Sequence, residues 1–166
     1  MNIKKWLKSL FSLFLSLLIM SCILDVVRRP NVPESNFSVR YNDLQQDSFF
    51  FAQLNQDRPV VLYFWGTWCG ICRYTSPAIQ SLTDDGESVI TVALRSGDEE
   101  KVRSYLQENQ YSFRTVNDPK GEIASQWNVS VTPTIVIFNQ GKITFSTTGI
   151  SSYWGLKVRL FLAKFF

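Results

Sequence analysis

Runs of apolar residues recur along the chain at intervals that suit a buried sheet. Pro59–Trp65 and Ser88–Leu94 are almost entirely apolar and rich in β-branched and aromatic side chains, which is typical of strands buried on both faces. Residues 113–118 form a third, shorter run of the same kind. The segments between them have apolar residues at helical spacing. They predict helices at residues 73–85, 96–110 and 122–127.

The last part of the chain predicts a hairpin and a final helix. Residues 132–146 contain two β runs around Gly141, where a glycine supplies the positive φ of a tight turn. Residues 152–166 have a wide apolar face with cations on the remainder, which favours a helix docked on the sheet over a helix on a membrane surface. Residues 37–54 are ambiguous, and we expect a short strand near Val39 and a helical turn before Pro59.

The predicted order of elements is β-α-β-α-β-α-β-β-α. Strands that alternate with helices favour a sheet with helices on both faces, and a late hairpin adds antiparallel strands at one edge. The sequence therefore predicts an α/β domain of three layers around a central mixed sheet.

The first 29 residues differ in character from the rest. They hold five cations against Asp25, a net charge of +4, which leaves −1 of the chain's +3 for the other 137 residues. The stretch from Leu10 to Val27 has 18 mostly apolar residues, close to the roughly 20 that cross a bilayer. Lysines before this stretch weakly favour a cytoplasmic N-terminus. We therefore predict an uncleaved signal anchor, with the domain outside the cytoplasm.

Two other fates of this segment stay open. Ile19–Cys22 resembles a bacterial lipobox and makes Cys22 a candidate for lipidation, whereas ordinary signal cleavage is less favoured because no A-x-A-like site is present. Two prolines predict an extended linker at residues 30–36. The predicted organisation is thus an anchor or lipoprotein signal at 1–29, this linker, and one domain at 37–166.

Composition excludes several classes of function. The chain has no histidine, which argues against hydrolases with a histidine base, most zinc enzymes and haem proteins with a histidine ligand. The residues after the first 29 carry a net charge of only −1, so a nucleic-acid partner is not expected.

Two cysteines, Cys69 and Cys72, lie within the stretch WGTWCGICRYTSP. They come directly after a buried strand and before a predicted helix, whose N-terminus stabilises a thiolate. Such a position lowers a thiol pKa from about 8.5 into the range of roughly 3.5–7.5. We predict that Cys69 attacks a substrate disulfide and that Cys72, one helical turn later, resolves the mixed disulfide.

Other uses of the pair are less favoured. A closed zinc site needs four ligands, and the domain offers two cysteines and no histidine, so no metal site is predicted. A purely structural disulfide across so short a loop removes little chain entropy. Two thiolates can hold Cu(I), which leaves a Cu(I)-binding periplasmic chaperone as the alternative function. Thiol exchange itself requires no dissociable cofactor, only a redox-active Cys69–Cys72 disulfide.

The stretch FWGTWCGIC, with Pro77 beyond it, and the later stretch SVTPT resemble the thioredoxin superfamily. The resemblance implies a thioredoxin fold, a cis-proline at Pro133, and pairing of the backbone before it with the substrate chain. Trp68 is expected at the rim of the site and Trp65 in the core. The expected substrate-binding residues are Trp68, Gly70, Ile71, Thr132 and Pro133, and the expected supporting residues are Tyr63, Trp65, Pro77 and Gly149.

Three further stretches, VALRSGDEE, VNDPKGEIASQWNVSVTPT and TTGISSYWGLKVRL, resemble the membrane-anchored, TlpA-like protein disulfide oxidoreductases of Gram-negative bacteria, the copper-sensitivity-suppressor type in particular. The resemblance implies a place at the periplasmic face of the inner membrane and protein thiols or disulfides as substrates. It also implies a membrane thiol reductase as electron donor. A reductant is favoured, serving copper tolerance or cytochrome c maturation.

The chain departs from these relatives at two positions. Tyr63 stands where thioredoxin has a buried acid, and Thr75 stands where some TlpA-like reductases have a glutamate. No carboxylate can therefore be named as general base. Water, or the Tyr63 hydroxyl if it reaches the site, would have to carry the proton.

Overall fold

The computed structural model describes residues 8–13, 16, 38–54 and 58–165. Its strands are β1 Arg40–Asn42, β2 Ser48–Phe50, β3 Val60–Trp65, β4 Ser88–Leu94, β5 Arg114–Asp118, β6 Thr134–Asn139 and β7 Lys142–Thr148. Its helices in the domain are α1 Phe51–Leu54, α2 Cys72–Asp84, α3 Glu99–Glu108, α4 Glu122–Gln126 and α5 Tyr153–Ala163.

Five strands form the central sheet, in the order β5-β4-β3-β6-β7. β3 pairs in parallel with β4, and β4 in parallel with β5. β6 runs antiparallel to β3, and β7 antiparallel to β6. The predicted mixed sheet is confirmed, and the central position of β3 explains why all six of its residues are buried.

Alternation along β3 separates the two layers that cover the sheet. Val61, Tyr63 and Trp65 face a core shared with α2, α3 and α5. The residues between them face a second core shared with the β1–β2 hairpin, α1 and α4. Successive side chains of a strand point to opposite faces, so one strand supplies both cores. The three-layer arrangement is a thioredoxin fold, as the resemblance implied.

Two details differ from the sequence-based expectations. The expected strand near Val39 is half of a two-stranded hairpin, β1 with β2; strands of three residues are too short for a reliable pattern. The helix expected at residues 96–110 begins only at Glu99, because the Asp98 side chain caps it by accepting a hydrogen bond from the Lys101 N–H.

The expectation of a membrane anchor, and with it of an inner-membrane location, is wrong. No helix among the residues that the structure describes is long and apolar enough to cross a bilayer; α2 spans only 13 residues, and a crossing needs about 20. Much of the expected apolar span, including Cys22, lies outside the described residues, as do the boundaries predicted at residues 29 and 36.

Candidate active site

Cys69 and Cys72 are joined by a disulfide bond. Both lie where β3 gives way to α2, but α2 begins only at Cys72. Cys69 therefore lies three residues before the first helical residue, in the turn that leads into the helix and not in the helix itself. The Cys72 backbone N–H points back and donates to the Cys69 sulfur at 3.2 Å.

The two sulfurs differ in their access to solvent. Cys69 is 6% exposed, and Cys72 is fully buried. An incoming thiol or disulfide therefore meets Cys69 first. After reduction, a thiolate on Cys69 would face the N–H of Cys72 and the positive end of the α2 dipole, both of which favour the charged form.

Two tryptophans flank the pair in different environments. Trp68 is 59% exposed, and its indole N–H donates to the Leu94 carbonyl at 3.0 Å. Trp65 is fully buried, and its indole N–H donates to the Thr91 hydroxyl at 3.0 Å. The positions of Trp68 at the rim and Trp65 in the core thus agree with expectation, and their parts in the reaction stay predictions.

The Thr132–Pro133 loop and the disulfide lie at the same end of the central strands β3 and β6. The Thr132–Pro133 peptide bond is cis. Thr134, the first residue of β6, pairs with Phe64 near the end of β3, which leads into the cysteine turn. The Gly149 N–H donates to the Pro133 carbonyl at 2.9 Å, and Gly149 has a φ of +94°. The motif residues far apart in sequence are therefore brought together at one end of the molecule.

A groove of about 510 Å³ opens beside this loop. It is lined by Val129, Val131, Thr134, Ser146 and Thr148, among others. The Thr132 hydroxyl is buried and has no hydrogen-bond partner among the described residues.

Exposed residues at this end of the molecule include two that were predicted and three that were not. Ile71 was predicted and is 51% exposed, and Gly70 beside it was also predicted and is exposed. Tyr74, Val131 and Ile150 were not expected, and they are 73%, 53% and 67% exposed. Each lies within two residues of a predicted site residue, a proximity that could have drawn attention to them.

The Tyr63 hydroxyl points at Ser76, with 3.0 Å between the two oxygens, and both side chains are buried. Burial is the largest influence on this phenol and raises its pKa well above the ordinary value of 10.0, while the hydrogen bond with Ser76 acts the other way. Tyr63 therefore stays protonated and cannot serve as a base near neutral pH. Ser76 carried no sequence signal beyond its place one turn after Cys72.

Thr75 and Pro77 lie on α2, next to these hydroxyls. Thr75 is fully buried, and its hydroxyl oxygen is 3.4 Å from the Ser151 N–H that donates to it. Pro77 lies inside the helix. No carboxylate occupies the positions of Tyr63 and Thr75, so this part of the site holds hydroxyl groups.

Within the described parts of the chain, no three side chains of the His, Cys, Asp and Glu types come together as a metal site. In the disulfide state neither sulfur is a thiolate, so neither can act as a thiolate ligand. The arrangement is suited to making and breaking disulfide bonds.

Comparison with known proteins agrees with this chemistry. Residues 32–146 match the AhpC/TSA family. The "Thioredoxin-like protein" of Haemophilus influenzae is 57% identical over 166 residues, which cover all of this chain and 99% of that protein.

Solved structures show the same fold. A secreted Mycobacterium tuberculosis disulfide oxidoreductase, homologous to E. coli DsbE, superposes with a TM-score of 0.66 at 24% identity, over 78% of this chain and 99% of the other. StoA from Bacillus subtilis superposes with a TM-score of 0.64 at 25% identity, over 73% and 94% of the two chains. The chain thus belongs to the AhpC/TSA family and is a thioredoxin-like thiol-disulfide oxidoreductase.

Proposed function

We propose that the chain reduces disulfide bonds in partner proteins, with Cys69 as the attacking thiol and Cys72 as the resolving thiol. The observation that carries this proposal is the difference in access within the Cys69–Cys72 pair, where only Cys69 reaches the surface. The Cys72 N–H aimed at the Cys69 sulfur supports the same assignment, because it stabilises a thiolate there.

The reaction runs in two exchanges. The Cys69 thiolate attacks one sulfur of the substrate disulfide, that bond breaks, and the first substrate thiolate leaves and takes up a proton. Cys72 then loses its proton and attacks Cys69, which forms the Cys69–Cys72 disulfide and releases the second substrate thiol. Two electrons pass from the dithiol to the substrate.

The proton of Cys72 is taken up by water or by the departing substrate thiolate. Tyr63 is not available for this step, because its hydroxyl is buried against Ser76. In this proposal the buried hydroxyls below the cysteines order the site without titrating.

The substrate chain lies in the groove beside Thr132 and Pro133, and pairs its backbone with that loop as an added strand does. The groove of about 510 Å³ that opens beside this loop supports the placement. In this proposal Trp68, Gly70 and Ile71, which are exposed beside Cys69, contact the residues next to the substrate cysteine.

Reduction as the direction rests on the resemblance to TlpA-like proteins, as do copper tolerance or cytochrome c maturation as the process. A dithiol donor protein must then return two electrons to the oxidised pair. The resemblance supports a thiol reductase of the membrane as that donor.

The proposal is tested by equilibrating the full chain with glutathione buffers and following tryptophan fluorescence. Trp68 lies beside the pair, so a single two-electron transition is expected, and it should vanish in Cys69→Ser. In parallel, the reduced wild type should reduce a peptide disulfide while Cys69→Ser does not. Equal rates for the two proteins would refute the assignment of Cys69.

A further inference from the structure

A second cavity, of about 410 Å³, lies next to the groove beside the Thr132–Pro133 loop. The two share Asn128, Val129 and Ser130 as lining residues, so they are neighbours on the surface. A chain that lies in the groove and continues along this segment reaches the second cavity. We call this cavity the Arg95 pocket, because Arg95 is the cation among its lining residues.

The Arg95 pocket also borders the rim of the disulfide. Leu94 lines the pocket, and its carbonyl accepts the indole N–H of Trp68 at 3.0 Å. Trp68 directly precedes Cys69 in the chain. A substrate whose disulfide meets Cys69 can therefore place a nearby residue in this pocket.

The local backbone positions the Arg95 side chain at the pocket. Arg95 has a φ of +46°, in the left-handed region that few residues other than glycine adopt. Its N–H donates to the Asp118 carbonyl at 2.8 Å and so ties this turn to the end of β5. A Cβ atom on Gly121 would lie 3.0 Å from the Arg95 Nε. The guanidinium group therefore lies against Gly121, which is itself a lining residue of the pocket.

The Arg95 guanidinium is exposed and forms no hydrogen bond or ion pair with any residue that the structure describes. Two acids lie near it in the fold, and both have other partners. The Asp118 carboxylate is buried and accepts the Ala124 N–H at 2.9 Å. The Glu122 carboxylate pairs with Lys120. Arg95 therefore brings a positive charge to the pocket that these acids do not neutralise.

A guanidinium group with unused donors suits a carboxylate. Its N–H groups form a planar fork that matches the two oxygens of a carboxylate. The exposed residues Ser125, Asn128 and Ser130 line the same pocket, and their side chains can donate further hydrogen bonds. Because the neighbouring groove is the proposed seat of a substrate chain, the matching group is an aspartate or glutamate side chain of that chain.

We infer that Arg95 is a specificity-determining residue that binds an acidic side chain of the substrate protein, a few residues from the cysteine that Cys69 attacks. The inference rests on the proposed disulfide exchange and adds a preference among its substrates. Arg95 takes no part in the exchange itself. A substrate without the acid is therefore still reduced, but more slowly.

Pairs of peptides with one disulfide test this inference. The two members of a pair are identical except for glutamate or glutamine at one position, and that position is moved one residue at a time on both sides of the reacting cysteine. The second-order rate constant for reduction by the reduced full chain is measured for each peptide. At one position glutamate should raise the rate constant about threefold to fivefold over glutamine, the size expected of an ion pair that solvent partly screens.

Variants of exposed cations locate the effect. Arg95→Gln should abolish the gain from glutamate and leave the rate constant for the glutamine peptide unchanged, and Arg95→Lys, which keeps the charge without the fork, should retain part of the gain. Arg95→Glu should favour lysine at the same peptide position. The matched control is Lys101→Gln, which removes an exposed cation from a different cavity beside Trp68, and it should keep the gain.

Three results would overturn the inference: equal rate constants for glutamate and glutamine at every position, a gain that survives Arg95→Gln, or a gain that Lys101→Gln removes to the same extent. The last result would mean that overall charge, and not Arg95, attracts the acidic peptide. Failure of the wild type to reduce even the glutamine peptides would instead contradict the proposed disulfide exchange, so the two failures are distinguishable.

Discussion

At the scale of single residues, the rim of the site depends on a close fit around Trp68. Its indole N–H is bound to the Leu94 carbonyl. A Cβ atom at Gly66 would lie 2.7 Å from the indole nitrogen and 3.1 Å from the Leu94 oxygen. Gly66 is therefore required for the indole to reach that carbonyl.

Gly66→Ala should destabilise the protein by about 1–3 kcal/mol, the usual cost of overpacking, and should change the fluorescence of Trp68. The matched control is Gly70→Ala, because a Cβ there meets nothing within 4 Å. Urea unfolding of the three proteins measures both effects. Equal stabilities would show that the indole can move aside without cost.

Tyr63 gives a pH dependence of stability whose sign follows from its environment. Burial, above all, raises the pKa of this phenol from its ordinary value of 10.0. In the unfolded chain the phenol ionises near pH 10, while in the folded protein it stays neutral. Its contribution is therefore complete below pH 10 and is lost as the pH rises above it.

The wild type should lose stability relative to Tyr63→Phe by about 1 kcal/mol per pH unit above roughly pH 10. The other tyrosines are present in both proteins, so their ionisation cancels in the difference. Urea unfolding at a series of alkaline pH values gives that difference. Parallel curves for the two proteins would mean that Tyr63 ionises in the folded state as it does in solution.

At the scale of elements, α5 has one buried face and one exposed face. Leu156 packs in the core below the sheet, and Val158, only two residues later, is 57% exposed. Leu156→Ala should cost about 2–5 kcal/mol, whereas Val158→Ala should change stability by less than about 0.5 kcal/mol. Thermal unfolding compares them. Similar losses in the two variants would contradict the orientation of α5 in the structure.

The long elements were predictable because their patterns are strong. Ser88–Leu94 agrees residue for residue with β4, and the hairpin turn contains Gly141 with a φ of +75°. The β1–β2 hairpin was not predictable, since a tertiary contact holds it to the domain: the buried Asp43 side chain pairs with Arg114, 71 residues along the chain. Contacts over such sequence distances leave no local pattern.

At the scale of the whole molecule, the fold and the positions of the cysteines could be predicted, and the surroundings of the site could not. Cys69, Cys72, Thr132 and Pro133 belong to recognisable motifs. The exposure of apolar residues such as Tyr74 and Val158 depends on how α2 and α5 pack, and helical spacing alone does not distinguish the buried face of a helix from its exposed one. The expected anchor is contradicted, because no helix in the part of the chain that the structure describes is long and apolar enough to cross a bilayer.

The central claim is that Cys69 attacks and Cys72 resolves. It is tested most directly by treating the Cys72→Ser variant with a peptide disulfide and measuring the mass of the intact product. Cys72→Ser should accumulate a mixed disulfide on Cys69, whereas Cys69→Ser should accumulate none and wild type should return to its internal disulfide. The account would be contradicted if the Cys69→Ser variant trapped the peptide on Cys72 while the Cys72→Ser variant trapped none on Cys69.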